Sequence, residues 1–105
     1  MNPTVEIYGK PNCLKCMAAG AKVELYVERR GLTGQVKVIK YNLETIDGRA
    51  MACFRDVDWG GNTPVVLFLG QDIEKERVVG SIDSTQIEDG LNKILEETHS
   101  AEVNI

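Results

Sequence analysis

The feature that most constrains the fold of this chain is a pair of cysteines, Cys13 and Cys16, placed where a strand pattern gives way to a helix pattern. Residues 4–8 are β-branched and aromatic, which is typical of a short strand. The next four residues have turn composition, and the last of them, Asn12, is a suitable N-cap for a helix that begins at Cys13. Gly31 is predicted to end this helix. The sequence therefore places both sulfurs in the first turn of a helix that directly follows a strand.

The rest of the chain alternates strand and helix patterns. It predicts a strand, a helix, a fully buried strand and a polar edge strand over residues 36–41, 46–55, 65–69 and 74–79. The last helix follows a capping pattern, and its apolar side chains recur at helical spacing at Ile87, Leu91, Ile94 and Leu95. The order β-α-β-α-β-β-α predicts an α/β fold with one four-stranded mixed sheet and helices on both faces.

Length and charge exclude several classes of protein. The chain has 105 residues, a net charge of −4 and no basic stripe, so we do not expect it to bind nucleic acid. Its longest apolar run, residues 65–69, is too short to cross a membrane, and the N-terminus lacks the pattern of a secretory signal. Three cysteines fit a reducing compartment better than a secreted disulfide scaffold. We expect a single domain over residues 1–105, with a loose tail at 99–105, that works in the cytoplasm as a monomer.

A CxxC motif is typical of either a redox site or a zinc site. A structural zinc ion needs about four ligands, and the remaining candidates, Cys53 and His99, lack ligand spacing. A CxxC that follows a strand and begins a helix favours the redox interpretation, with no metal bound. Two alternatives stay open, namely two helix cysteines without a redox role and a metal-binding or interaction module that catalyses nothing.

The predicted position of Cys13 favours a reactive thiolate. The first N–H groups of a helix lack partners and the helix dipole is positive there, so both stabilise an anion. Lys10 and Lys15 add positive charge nearby. Cys16, one turn further on, is close enough to form a disulfide with Cys13. The sequence thus predicts that Cys13 attacks a substrate disulfide and that Cys16 resolves the mixed disulfide.

The run Tyr8-Gly9-Lys10-Pro11-Asn12-Cys13 and the strand that begins at Pro64 resemble the glutaredoxin family, including the glutaredoxin-like redoxins that serve ribonucleotide reductase. The resemblance covers residues 4 to 97 and implies a thioredoxin-like (glutaredoxin) fold. It also implies reduction of protein disulfides or glutathione-mixed disulfides. No tightly bound cofactor is implied.

The resemblance also implies roles for individual residues. Pro64 is expected in the cis form facing the CxxC, and the backbone of Thr63 is expected to pair with substrate. Lys10 corresponds to a lysine that contacts a glutathione carboxylate, and Lys15, between the cysteines, is also expected to bind substrate or glutathione. Gly80 and Asp83 fall where the start of the last helix binds the γ-glutamyl carboxylate, which suits a helix N-terminus. For Asp83, a plain helix cap is an equally good interpretation.

The chain departs from the family at several positions. Leu14-Lys15 replaces the usual Pro-Tyr between the cysteines, and Ser81 replaces the second glycine of a Gly-Gly pair. Asn62-Thr63 stands where the family has Thr-Val. Two electron donors therefore stay open, glutathione and a flavoprotein of the thioredoxin-reductase type. Disulfide-containing proteins, with ribonucleotide reductase as the family's example, are the expected substrates.

Three further residues receive predictions. Glu6 is predicted to be an exposed glutamate at a strand end, and the alternative is a buried carboxylate that helps remove the proton of Cys16. Cys53 is predicted to be a small buried hydrophobic residue, and the alternative is a regulatory thiol. Trp59 precedes the expected substrate groove, where it either anchors a partner or folds over the core.

Overall fold

The computed structural model describes the backbone of residues 2–103 and the side chains of residues 2–95. Its elements are, in chain order, β1 (Thr4–Gly9), α1 (Leu14–Arg29), β2 (Lys37–Asn42), α2 (Ile46–Phe54), β3 (Val65–Gly70), β4 (Ile73–Val79) and α3 (Ser84–Val103). This order confirms the predicted one, and the strands and α2 begin and end within one residue of their predicted limits.

The strands form a four-stranded sheet in the order β2-β1-β3-β4. β1 pairs in parallel with β2 and antiparallel with β3, and β3 pairs antiparallel with β4. The sheet is therefore mixed, as predicted. All six residues of the inner strand β3 are buried, whereas β4, at the edge, is largely exposed or half-buried. This difference explains why the first reads as a continuous apolar run and the second as a polar strand.

Helices cover both faces of the sheet, because side chains alternate along each strand. Ile7 and Phe68 point to the face covered by α1 and α3, where they pack in one apolar cluster with Val23 and Leu91. A second cluster lies on the other face and contains Tyr8, Leu43, Ala52, Val57, Val65, Leu67 and Leu69. α2 supplies Ala52 to this second cluster, so α2 lies opposite α1 and α3.

Gly31 ends α1, as predicted. Its φ of 67° lies in the left-handed region, which glycine enters without steric cost. The Gly31 N–H donates to the Glu28 carbonyl at 3.0 Å, and the Leu32 N–H donates to the Val27 carbonyl at 2.8 Å. These two bonds form a Schellman motif.

The last helix begins with the predicted capping pattern. The Gln86 N–H donates to Asp83 Oδ1 and the Asp83 N–H donates to Gln86 Oε1, each at 2.9 Å. The backbone of α3 is helical to Val103, within the segment for which the sequence predicts a loose tail. Residues 104 and 105 and the side chains after residue 95 lie outside the described part, so the packing of the tail stays a prediction. Within residues 2–103, no helix has the length and apolar character needed to span a membrane.

Candidate active site

Cys13 and Cys16 form a disulfide at the start of α1, with their Cα atoms 5.2 Å apart. Cys13 is the N-cap of the helix, and its Sγ accepts a hydrogen bond from the Cys16 N–H at 3.2 Å. The prediction that Asn12 is the N-cap is wrong by one residue. Asn12 has a φ of 62°, in the left-handed region, so the turn extends one residue further and the sulfur itself caps the helix.

The buried sulfur lies against the end of β1 because Gly9 has no side chain. A Cβ at Gly9 would lie 2.8 Å from the Cys16 Cβ, closer than real Cβ contacts allow. Cys16 is buried, whereas Cys13 is half-buried. The arrangement therefore exposes one sulfur to an incoming molecule and keeps the other beneath it.

The loop before β3 faces Cys13, the less buried of the two cysteines. The Thr63–Pro64 peptide bond is cis, as the resemblance implies, and Thr63 Oγ1 lies 3.8 Å from Cys13 Sγ. The Pro64 carbonyl accepts a hydrogen bond from the Gly80 N–H at 2.7 Å, and Gly80 has a φ of 90°. The structure thus brings Thr63 beside Cys13 and Gly80 beside Pro64, although residues 13 and 63 are far apart in sequence.

Solved structures show the same architecture. A thioredoxin-like protein from Clostridium perfringens matches with a TM-score of 0.72 and 20% identity, over 89% of this chain and 71% of that chain. Thioredoxin O2 from Arabidopsis thaliana, in its oxidized state, matches with a TM-score of 0.69 and 16% identity, over 89% and 75%. Thioredoxin 1 from Thermosipho africanus gives 0.64 and 17%, over 91% and 98%.

This chain has the thioredoxin fold. No protein-family model and no curated protein matches its sequence. At these identities the likeness shows the fold alone. The chemistry of the site in this thioredoxin fold therefore depends on its own residues.

The lysines on either side of Cys13 in the sequence lie on different sides of the disulfide. Lys10 lines a cavity of about 540 Å³ between α1 and the end of β2, together with Cys16 and Tyr41. Lys15 lines a smaller hollow of about 200 Å³ on the other side, beside Ser81. Positive charge therefore flanks the dithiol, but the two lysines do not form one binding site.

Asp83 acts as a helix cap through its hydrogen bond with the Gln86 N–H. This bond uses one of the free N–H groups at the start of α3 that the resemblance assigns to a glutathione carboxylate. A substrate or glutathione contact at Lys10, Lys15, Gly80 or Asp83 stays a prediction. Within the described residues, no three His, Cys, Asp or Glu side chains are grouped so that they could hold a metal ion.

The prediction that Glu6 is an exposed strand-end glutamate is wrong. Its residue is only 3% exposed, and its carboxylate accepts hydrogen bonds from Tyr8 Oη at 2.7 Å and from Arg55 Nε at 3.0 Å. The alternating pattern of β1 places Glu6 on the α2 face, opposite the helix that carries Cys16. The carboxylate is buried, as in the alternative interpretation. It faces away from α1, however, and so away from Cys16, whose proton it was proposed to help remove.

Arg55 is a residue that the sequence analysis missed. At the end of a short helix, an arginine is typical of a solvated surface. The available signal was Glu6 itself, because a carboxylate within a central strand needs a partner when it is buried. Burial and the hydrogen bond from Tyr8 to Glu6 raise the pKa of Tyr8 above its ordinary value.

Two predictions on the α2 side have different outcomes. Cys53 is exposed, so the prediction of a buried cysteine is wrong. α2 buries only Gly48 and Ala52, and Cys53 falls outside that narrow stripe. Trp59 is 40% exposed, and the Arg49 guanidinium lies 4.5 Å from the centre of its ring. The indole is therefore held against α2, a contact that neither sequence interpretation of Trp59 contained.

Proposed function

We propose that this protein is a dithiol–disulfide oxidoreductase that works through Cys13 and Cys16. The observation that carries the proposal is the disulfide at the start of α1, which faces the Thr63–Pro64 loop at 3.8 Å. One sulfur is half-buried and accepts a backbone N–H, and the other lies buried one helical turn away. These are the parts that a thiol–disulfide exchange reaction requires.

The reaction balances as a transfer of two electrons to the substrate. The Cys13 thiolate attacks one sulfur of a substrate disulfide, a bond forms between them, and the other substrate sulfur leaves and takes a proton from water. Cys16 then loses its proton to water and attacks Cys13 Sγ. The Cys13–Cys16 disulfide forms, and the second substrate sulfur leaves as a thiol.

The position of Cys13 supports the first step. Its Sγ accepts the Cys16 N–H at 3.2 Å, at the positive end of a helix that has no acidic residue in its first turn. A thiolate accepts such a bond better than a thiol does, and the helix dipole favours the charge.

More narrowly, we propose a glutaredoxin-like electron donor that reduces protein disulfides or glutathione-mixed disulfides. Its oxidised dithiol is reduced either by two glutathione molecules, which become glutathione disulfide, or by a flavoprotein of the thioredoxin-reductase type. Ribonucleotide reductase is a proposed substrate, and a monomer in the cytoplasm is the proposed setting. What supports this narrower proposal is the resemblance around Lys10 to Cys13 and around the cis Pro64.

Cysteine variants test the reaction. We expect Cys13→Ser to lose all reduction of a disulfide-bonded peptide, because the attacking sulfur is gone. Cys16→Ser should accumulate a covalent mixed disulfide with the peptide, visible as an added mass that dithiothreitol removes. Cys53→Ser is the matched control, because Cys53 is exposed on α2 and should leave the rate unchanged. Full activity of Cys13→Ser would contradict the proposal, and a wild type without activity would favour a module that catalyses nothing.

A coupled assay decides between the electron donors. NADPH oxidation is followed with the protein and a disulfide substrate, once with glutathione and glutathione reductase and once with a thioredoxin reductase. A rate that depends on this protein in only one of the two mixtures identifies the donor. If neither mixture supports turnover, the proposed role as an electron donor is wrong.

A further inference from the structure

The loop of residues 56–63 carries Thr63 to the dithiol, and it leaves α2 through a strained turn. α2 ends in a Schellman motif in which the Val57 N–H donates to the Ala52 carbonyl at 2.7 Å and the Asp56 N–H donates to the Cys53 carbonyl at 3.2 Å. Asp56 has a φ of 58°, a conformation that usually belongs to glycine. Because Asp56 is not glycine, contacts from other residues help to hold it in this conformation.

Arg77, on the edge strand β4, supplies that support. Its two terminal nitrogens donate to the Asp56 carbonyl at 2.9 Å and to the Arg55 carbonyl at 2.8 Å. Its guanidinium is held in turn by Glu74, with contacts at 2.9 and 2.8 Å. The planar fork of one arginine therefore bonds both carbonyls at the point where the loop begins.

The same point is also held from within the sheet. Arg55 donates through two nitrogens to the buried Glu6 carboxylate, at 3.0 and 3.1 Å, and also to Asp72 at 2.6 Å. At the other end of the loop, the Pro64 carbonyl accepts the Gly80 N–H at 2.7 Å. The loop is thus held at both of its ends by β4 and the turn that follows β4. Arg77 bonds the first end, and Gly80 bonds the second.

We propose that Arg77 is a positioning residue for the dithiol site. It acts through the carbonyls of Arg55 and Asp56 on the loop that ends at Thr63, and so sets where a polypeptide substrate pairs beside Cys13. A small reagent that reaches Cys13 directly does not use this loop. Arg77 therefore controls the binding of disulfide-bonded polypeptides without changing the reactivity of the sulfur. This inference rests on the proposed oxidoreductase function.

The test compares Arg77→Met with Lys93→Met. Lys93, on α3, pairs with Glu76, which lies on β4 next to Arg77. Neither Lys93 nor Glu76 touches the end of α2. The Lys93→Met variant therefore removes an ion pair of the same strand without touching the loop. We expect Arg77→Met to raise the KM for a disulfide-bonded peptide by about fivefold with little change in kcat. The rate of iodoacetamide alkylation of Cys13 in the reduced protein should stay at the wild-type value. Arg77→Lys keeps a donor near the carbonyls, so its KM should lie between those of Arg77→Met and the wild type. All assays are run well below the Tm of each variant.

A second readout does not depend on enzyme activity. Trp59 lies in this loop and is the single tryptophan of the chain, so its fluorescence reports on the loop and on its contact with Arg49 of α2. We expect acrylamide to quench Trp59 more strongly in Arg77→Met than in the wild type. In Lys93→Met, the quenching should equal that of the wild type.

Each outcome decides the question. An unchanged KM in Arg77→Met, even with a lowered Tm, overturns the inference, because Arg77 would then be structural only. A slowed alkylation of Cys13 also overturns it, because the dithiol itself would be disturbed. If the wild type reduces no peptide, the proposed function fails, and the Trp59 quenching still decides whether Arg77 positions the loop.

Discussion

Glu6 is a charged side chain within the central strand β1, and three hydrogen bonds from Tyr8 and Arg55 compensate for its removal from water. Although burial opposes the charge of Arg55, its bonds to Glu6 and Asp72 raise its pKa above the ordinary value. Among the described side chains, no buried nitrogen or oxygen lacks a hydrogen-bond partner. A buried charge in this chain is therefore tolerated because each of its polar atoms is satisfied.

Tyr8 predicts a loss of stability in alkaline solution. Burial and Glu6 raise the pKa of Tyr8 in the folded protein, whereas a tyrosine in the unfolded chain ionises at about pH 10. Above that pH the unfolded state releases a proton that the folded state keeps. The free energy of unfolding should therefore fall as pH rises, with a contribution from Tyr8 of up to roughly 1.4 kcal/mol per pH unit.

Urea unfolding of the oxidised protein at a series of pH values from about pH 9 upward measures this slope. Tyr8→Phe should make the slope shallower. Tyr26→Phe is the control for the loss of a tyrosine hydroxyl, because Tyr26 lies only partly buried beside the other cluster. The same slope in Tyr8→Phe and in the wild type would show that Tyr8 contributes nothing to the alkaline transition.

At the scale of the elements, α1 and α2 end in the same hydrogen-bond pattern with different residues. Gly31 takes the left-handed position after α1, and Asp56 takes it after α2. The end of α1 is legible in the sequence because glycine is the usual residue there. The cap of α2 could not be predicted from the sequence, because Asp56 is not glycine and the carbonyls at this turn are bonded by Arg77 from β4.

Two glycines that follow α1 form a matched pair for testing the cap. A Cβ at Gly31 or at Gly34 would meet no atom within 4 Å, but only Gly31 has a left-handed φ, at 67°. We expect Gly31→Ala to lower the free energy of unfolding by about 1 kcal/mol, because alanine is strained in that conformation. Gly34→Ala should stay within about 0.5 kcal/mol of the wild type or exceed it. Denaturant midpoints of the two variants give the comparison, and equal midpoints would mean that backbone strain at Gly31 does not matter.

At the scale of the whole molecule, two apolar clusters share one sheet. β3 contributes Phe68 to the cluster under α1 and α3, and its neighbour Leu67 to the cluster under α2. Since the side chains of β3 serve both faces in alternation, neither cluster can open without disturbing the strand that holds the other. We therefore expect the domain to unfold in one cooperative transition.

Truncations on opposite faces test this cooperativity. Leu91→Ala in α3 and Leu43→Ala beyond β2 each remove a fully buried side chain, and each should cost about 2–5 kcal/mol. Trp59 contacts Arg49 of α2, on the side opposite Leu91. Within each variant, we expect Trp59 fluorescence and far-UV circular dichroism to give the same unfolding midpoint. A Leu91→Ala protein whose fluorescence transition stays at the wild-type midpoint would show that the two faces unfold separately.

Much of this molecule could be predicted from its sequence. The seven elements, the buried strand at residues 65–69, the polar edge strand and the dithiol at the start of a helix all follow from patterns that span a few residues. The cis bond before Pro64 came instead from the resemblance to glutaredoxins. Such features are predictable because apolar period, turn composition and capping residues act between near neighbours.

The sequence by itself determined the order of the elements and the pairing of Cys13 with Cys16, since both depend on residues within a few positions of one another. Only the tertiary structure decided that Glu6 is buried, that Cys53 is exposed and that Arg77 holds the start of the loop beside the dithiol. Glu6 meets Arg55 across 49 positions of the chain, and Arg77 meets Asp56 across 21. No local pattern encodes which distant partner will neutralise a charge or bond a free carbonyl, because that is settled only when the strands and helices pack.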